Sequence, residues 1–235
     1  MAEDVVEGRA DARIDAGLAA QGAYLERSLA EGQRLAGWKI GFGSPAGLSA
    51  LDLDAPIIGF LTDRGAVAPG AAVDLTGWTA PVVECEVAAI VDRDIPAGIR
   101  AEHIDEFVTT WAPAFEFADI DVPPRAVVEV LSGNIFHRSY CLGERFVASA
   151  SSVMEMTALI SIDGDAVDVV DLPALTGDLR TVIARAAELA PQVGRGIQAG
   201  DVILTGSIVP PIPVRPGMVV TYRLQGSPTM AATFT

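Results

Sequence analysis

A ten-residue run from Val82 to Val91, VVECEVAAIV, sets two glutamates two positions apart in a stretch that is otherwise apolar. Such a run reads as a buried strand, in which side chains alternate between faces. Glu84 and Glu86 then share one face with Val82, Ala88 and Ile90, while Val83, Cys85, Val87 and Ala89 take the other. At the usual strand rise the two glutamate Cα atoms lie about 6.5–7 Å apart, so both carboxylates can converge on one point. Removing one unpaired carboxylate from water costs on the order of several kcal/mol, and a second beside it adds repulsion. The strand therefore calls for a positive partner: an arginine, a shared proton, or a hard divalent cation such as Mg²⁺ or Mn²⁺. The alternative is an edge strand with a solvated acidic face.

A third glutamate weighs against solvation. The segment APAFEFADIDV alternates in the same way and puts Glu116 on a face with Ala114, Ala118 and Ile120. Two apolar strands thus carry inward carboxylates, and three carboxylates with water match an octahedral Mg²⁺ or Mn²⁺ site.

Base usage singles out one more residue. Lys and Arg together number 16, yet the only lysine is Lys39, in GWKIGFGS. Lysine is a compact donor that can give up its proton when crowded, which arginine does not do, so Lys39 is a candidate for proton transfer or oxyanion binding.

The 235 residues carry no linker, repeat or low-complexity stretch, and they read as a single domain with an N-terminal helical extension over about residues 1–35. No apolar run reaches the roughly 18–20 residues that cross a bilayer. The acidic start, MAEDVVEGRADARIDAG, does not resemble a secretory leader, so a cytoplasmic protein is expected. A formal net charge of −15 argues against nucleic acid and acidic membranes as partners. Cys85 and Cys141 sit in apolar runs without metal-ligand spacing and read as buried free thiols.

Along the chain, Ile14, Leu18, Leu25 and Leu29 mark one face of a helix from Asp11 to Leu29, closed by Gly32. Strands are expected at Trp38 to Phe42 and Ile57 to Leu61, with a short helix at Ala46 to Leu51 between them and Asp63-Arg64-Gly65 as a turn. AEHIDEFVTTW reads as a helix with Ile104, Phe107, Val108 and Trp111 on one face and His103 solvated opposite. His137, with no carboxylate partner evident, is expected to be structural or exposed. Val153 to Ile162 and Val167 to Val170 flank the hairpin signal Asp163-Gly164. A helix is expected at Leu179 to Leu189, capped by Thr176 or Asp178. Strands at Val202 to Leu204, Met218 to Leu224 and Met230 to Phe234 close the chain, with Thr205-Gly206-Ser207 as a turn. The interruptions favour an α+β mixed sheet over regular βαβ alternation.

In order along the chain, GWKIGFGSP, LDLDAPIIGFLTD, PVVECEVAAIV, WAPAFEFADIDV, GDVILTGSIVPPIPVRPG and AATFT resemble the 2-keto-4-pentenoate hydratase branch of the fumarylacetoacetate hydrolase superfamily. The resemblance implies a mixed β-roll of the fumarylacetoacetate hydrolase C-terminal type with peripheral helices, and a homo-oligomer. It implies that Glu84, Glu86 and Glu116 match Mg²⁺ or Mn²⁺ ligands and that Lys39 matches an active-site lysine. Asp63 lines up with an acidic position of the family, although its neighbour is Arg64. Two stretches depart from the pattern: Gly133-Asn134-Ile135-Phe136, followed by His137 and Arg138 where small residues are usual, and LPALTGD before the late helix.

The chemistry expected is a lyase reaction on an unsaturated 2-oxo acid, in which a carboxylate and a 2-oxo oxygen chelate the ion. Lys39, helped by Asp63, moves a proton, and Thr205, Gly206 and Ser207 supply donors to the substrate carboxylate. Addition of water and loss of CO₂ from a 2-oxo diacid pass through the same enolate, so both stay open. A non-catalytic oligomeric scaffold is the reading from outside enzymology.

Overall fold

Asp11 caps the first helix, α1 (Ala12–Ala30), its carboxylate accepting the Arg13 N–H at 2.9 Å, and Gly32, at φ +83°, turns the chain away after the last turn. The computed structural model describes residues 11–121, 123 and 125–235; the first ten residues of the expected N-terminal extension lie outside the described residues. On α1 the buried face is centred on Leu18 and Leu25, with Ile14 and Leu29 at its margins. Gln21 on the same face donates to the carbonyls of Ile58 and Leu131, at 2.9 and 3.1 Å. A Cβ at Gly17 would come within 2.5 Å of Leu131, so glycine sets how closely the helix lies on its neighbour.

The chain then alternates short elements: β1 (Leu35–Gly41), α2 (Pro45–Leu51), β2 (Ile57–Thr62), β3 (Ala72–Val73) and β4 (Pro81–Ile90). After β5 (Thr110–Asp119) come α3 (Val127–Ser132), β6 (His137–Leu142), β7 (Phe146–Val147) and α4 (Ala150–Met154). The hairpin β8 (Ala158–Ile162) and β9 (Asp165–Val169) turns at Asp163-Gly164, both in the left-handed region that a tight hairpin needs. Helices α5 (Pro173–Thr176) and α6 (Leu179–Leu189) follow, the latter capped by Asp178 as anticipated. β10 (Val202–Ser207), β11 (Ile212–Pro213), β12 (Val219–Leu224) and β13 (Met230–Phe234) complete the fold.

These strands form two mixed sheets. The larger runs β2-β1-β10-β4-β5-β6, with β11 beside β4 and β7 beside β5; the smaller runs β3-β13-β12-β8-β9. Parallel pairing occurs between β1 and β10 and between β3 and β13; the other pairs are antiparallel. Alternation along β5 explains how the sheets meet. Phe115 and Phe117 point to the second sheet and pack edge-on against Tyr222 and Phe234, with ring centroids 6.0 Å apart in both pairs. Ala114, Glu116 and Ala118 point the other way, so one face of the central ladder is hydrocarbon and the other carries the acids.

Three local expectations give way to tertiary contacts. The segment expected as one helix from Ala101 to Trp111 is a 3₁₀ helix over Ala101–Glu106, and Trp111 lies in β5. Asp92 explains the break: its carboxylate accepts the Thr109 N–H and hydroxyl at 2.7 and 2.8 Å and draws the chain into an extended path. Val153, read as strand, lies in α4 because Ser149 caps that helix. Thr205-Gly206-Ser207 is not a turn but the end of β10, where a register shift against β4 between Leu204 and Ser207 accommodates Gly206 at φ +100°.

Candidate metal centre

Strands β4 and β5 pair so that Glu84 stands directly opposite Glu116, an arrangement of like charges that a sheet tolerates only with compensation. Glu86 and Glu116 are fully buried, whereas Glu84 is half-buried and lines a cavity. One carboxylate oxygen from each of the three lies within 4.8 Å of the other two.

The compensation is visible residue by residue. β1 runs beside β10 and delivers Lys39, only 2% exposed, with Nζ 2.8 Å from Glu116 Oε1 and 3.3 Å from the Ile135 carbonyl. His137 Nδ1 reaches the same Glu116 oxygen at 2.9 Å. The Gly206 N–H, turned inward by the irregularity in β10, donates to Glu86 Oε2 at 2.8 Å. Each buried glutamate is thus held by one oxygen, and the other oxygen of each, Glu86 Oε1 and Glu116 Oε2, has no hydrogen-bond partner although buried. Two orphaned carboxylate oxygens beside a third carboxylate make an all-oxygen donor set that fits a hard divalent cation.

Charge states follow from this geometry. Burial pushes the Glu84 carboxyl up and the Glu116 charge pushes it further, to about 7, against the pull of Lys39. Glu86 is raised well above the ordinary range, by burial and then by Glu116 and Glu84. Burial also acts to raise Glu116, but Lys39 and His137 outweigh it and hold that carboxyl below the ordinary range. Burial alone would lower the Lys39 ammonium; the fields of Glu116, Glu84 and Glu86 prevail and raise it.

The cavity beside this cluster measures about 440 Å³. Lys39, Glu84, Thr205, Gly206 and Ser207 line its polar end, and Ile40, Phe42, Ile135, Phe136, Leu175 and Val209 are among its apolar walls. Of the donors expected from the Thr205–Ser207 stretch, two are already engaged: Thr205 donates to the Val87 carbonyl at 2.8 Å and Gly206 to Glu86. Ser207, half-buried and only loosely held by the Cys85 carbonyl at 3.4 Å, is the one still available.

Asp63 is elsewhere. It follows β2, which pairs antiparallel to β1 with Lys39 opposite Gly59 and Leu35 opposite Thr62, so Asp63 sits beyond the start of β1 rather than near Lys39. There it accepts the Arg34 N–H and Nε–H, both at 2.9 Å, and those bonds hold its carboxyl below the usual range; it does not line the cavity. His137 is the opposite correction. Far from lacking a carboxylate, it is buried against Glu116, because a register shift between Phe117 and Ala118 sets it opposite Ala118 at the start of β6. Arg138 keeps to the expected outer face, 40% exposed and bonded to Asp119 and Asp121, both at 3.2 Å. His103 is exposed as expected, against Glu106.

Asn134 is a residue that periodicity could not reveal. Asn134, Ile135 and Phe136 all have positive φ, between 51 and 63°, a costly conformation for three successive L-residues. Asn134 holds the turn: its amide accepts the Phe60 N–H at 2.8 Å and donates to the Phe60 carbonyl at 2.9 Å, as a neighbouring strand would. The turn in turn offers the Ile135 carbonyl to Lys39 and fits Ile135 against Gly41, where a Cβ would meet it at 2.7 Å. Asn134→Ala is expected to destabilise the protein by about 3 kcal/mol, since both buried Phe60 groups lose their partner. Urea unfolding measures this, and a loss below about 0.5 kcal/mol would show that the turn stands without it.

Residues 44–235 match the fumarylacetoacetate (FAA) hydrolase C-terminal family model. The chain belongs to the fumarylacetoacetate hydrolase family. Within that family it is similar to a 4-oxalocrotonate decarboxylase of Pseudomonas sp, 27% identical over 95% of this chain and 91% of the relative. It is as similar to 2-keto-4-pentenoate hydratase 2 of Dechloromonas aromatica, 30% identical over 94% of this chain and 86% of the relative. The solved 4-oxalocrotonate decarboxylase of Pseudomonas putida G7, complexed with magnesium and adipate, superposes with a TM-score of 0.83 at 25% identity, covering 92% of this chain and 83% of that one. The α+β roll expected of the family is present, and the three glutamates expected as ligands lie close enough together to hold an ion. No helix among the described residues is long and apolar enough to cross a membrane.

Proposed function

We propose that this chain is a metal-dependent hydro-lyase that adds water to a carbon–carbon double bond of an unsaturated 2-oxo mono-acid, of the 2-hydroxypenta-2,4-dienoate kind, in the breakdown of aromatic compounds. The observation that carries it is the cavity: among the described residues that line it, Lys39 is the only cation, and the wall away from the carboxylates is largely hydrocarbon, with the Ser44 and Thr176 hydroxyls its uncharged exceptions. Such a wall suits an uncharged tail and leaves a second substrate carboxylate unpaired.

Glu84, Glu86 and Glu116 would hold Mg²⁺ or Mn²⁺, which supplies Lewis acidity to the oxygens of a chelating 2-oxo acid. Lys39, which lines the cavity, carries the proton. One proton leaves the enol oxygen and one arrives at the far carbon of the dienol, moving the remaining double bond into conjugation with the 2-oxo group; water then adds across that bond. Ser207 offers a hydroxyl to the substrate carboxylate, and the apolar walls of Ile135 and Phe136 keep bulk water from the reacting carbons. A cytoplasmic location and a homo-oligomer are part of this reading, and light scattering on the purified protein tests the homo-oligomer.

Decarboxylation of a 2-oxo diacid is the second reading, favoured by relatives of that name at comparable identity. With Mg²⁺ or Mn²⁺ present, ultraviolet absorbance of mono-acid dienoates is expected to fall without release of CO₂. Arg138→Ala is expected to leave the mono-acid to diacid ratio of kcat/KM unchanged, because Arg138 is committed to Asp119 and Asp121. Stoichiometric CO₂ overturns the hydratase. Selective loss of the diacid by more than about tenfold, or roughly 1.4 kcal/mol, places Arg138 in the substrate site and overturns the mono-acid preference.

A further inference from the structure

Glu116 differs from the other two glutamates in carrying two donors on one oxygen. Lys39 Nζ and His137 Nδ1 lie 2.8 and 2.9 Å from Oε1, while Oε2 is buried and unpartnered. Because an ionised carboxylate only accepts, Nδ1 of His137 carries the proton in this contact. The ring's other nitrogen, Nε2, is buried without a partner and faces Gly65, where a Cβ would stand 3.5 Å from it. His137 is therefore fixed between the turn after β2 and the carboxylate, with its one engaged atom on Glu116.

We propose that His137 is a positioning residue that selects the ion: by occupying Oε1 together with Lys39, it restricts Glu116 to donating Oε2 alone. The physical reason is a difference between cations. Mg²⁺ demands near-ideal octahedral geometry with compact, single-oxygen ligands, whereas Ca²⁺ accepts bidentate carboxylates and irregular shells. A Glu116 freed from one of its two holders can rotate and present both oxygens, which suits Ca²⁺ far better than Mg²⁺. Outer residues that orient a metal ligand in this way typically govern affinity by about 10- to 100-fold.

The test is calorimetric titration of the metal-free full chain with Mg²⁺ and, separately, Ca²⁺. His137→Phe removes the donor while keeping a ring, and His137→Leu is a second donor-free variant should the phenyl group prevent folding. His137→Asn keeps an N–H near the position of Nδ1. The donor-free variants are expected to bind Mg²⁺ about 10- to 100-fold more weakly, with a markedly smaller loss for Ca²⁺, and His137→Asn to restore most of the wild-type ratio. Unchanged Mg²⁺ affinity in the donor-free variants, or equal weakening for both ions, overturns the proposal, since loss of packing alone would not discriminate between cations. The inference rests on the metal centre described above; a wild-type chain that binds neither ion overturns that centre itself, an outcome distinct from an unaltered ratio.

Discussion

Lys39→Arg is expected to lower kcat by about 10²-fold or more, the usual scale for a positioned proton-transfer group, although the positive charge is retained. The site has no room for the exchange. The lysine stem lies over Gly59, where even a single added Cβ would come within 2.9 Å of its Cγ, and Nζ is already bracketed by Glu116 and the Ile135 carbonyl. A guanidinium is wider, planar and does not give up its proton, so it neither fits the bracket nor serves as carrier. Steady-state rates on a mono-acid dienoate decide the matter. A kcat within about threefold of wild type would mean that charge alone suffices and that Lys39 anchors substrate.

Metal-free Glu84→Gln is expected to be more stable than metal-free wild type at pH 8, and less stable than wild type once Mg²⁺ or Mn²⁺ is added. Glu84 titrates near 7 in the folded protein against an ordinary value of 4.5, a raised folded-state pKa. The stability tied to its protonated form is therefore complete below about pH 4.5 and is lost as pH rises through about 7. Glutamine does not titrate, so the gap between the two proteins opens over that window. It should reach on the order of 1–3 kcal/mol, allowing for screening at a half-buried side chain, or roughly 2–4 °C in Tm per kcal/mol. Added metal should raise the wild-type Tm with the logarithm of its free concentration, and the variant should respond weakly or not at all. Calorimetric melts from pH 5 to pH 8, with chelator and then with metal, measure both effects. A wild-type Tm that ignores metal, or a variant that responds equally, would remove Glu84 from the ligand set.

How much of this was readable beforehand depends on the range of each interaction. The three glutamates announced themselves because period-two alternation is local, and an acid on an apolar strand face demands explanation wherever it occurs; the lone lysine stood out by composition alone. Helix α6 and the strands Ile57–Thr62, Val219–Leu224 and Met230–Phe234 were legible for the same reason. His137 was not, because its contact with Glu116 depends on a register shift between β5 and β6 that pattern alone does not specify. Asp63 misled in the complementary way: its alignment was plausible, but the pairing of β2 with β1 carries it past the end of the sheet to Arg34. The 3₁₀ segment at Ala101–Glu106 followed helical periodicity until Asp92, which lies outside the periodic segment, drew Thr109 away.

The direct opposition of Glu84 and Glu116 also bears on how the chain reaches its fold. In the unfolded chain these acids are far apart in sequence and well screened. They first feel each other when β4 zips onto β5, the ladder at the middle of the larger sheet. Lys39 cannot relieve them at that moment unless β1 has already docked, and β1 joins the sheet through β10, from the far end of the sequence. Pairing the central strands is therefore uphill electrostatically until a late-arriving strand or an ion from solution supplies the missing positive charge. An ion that bound this ladder early would do more than hold the finished protein together: it would lower the barrier to assembling it, and refolding would then quicken as Mg²⁺ or Mn²⁺ is added.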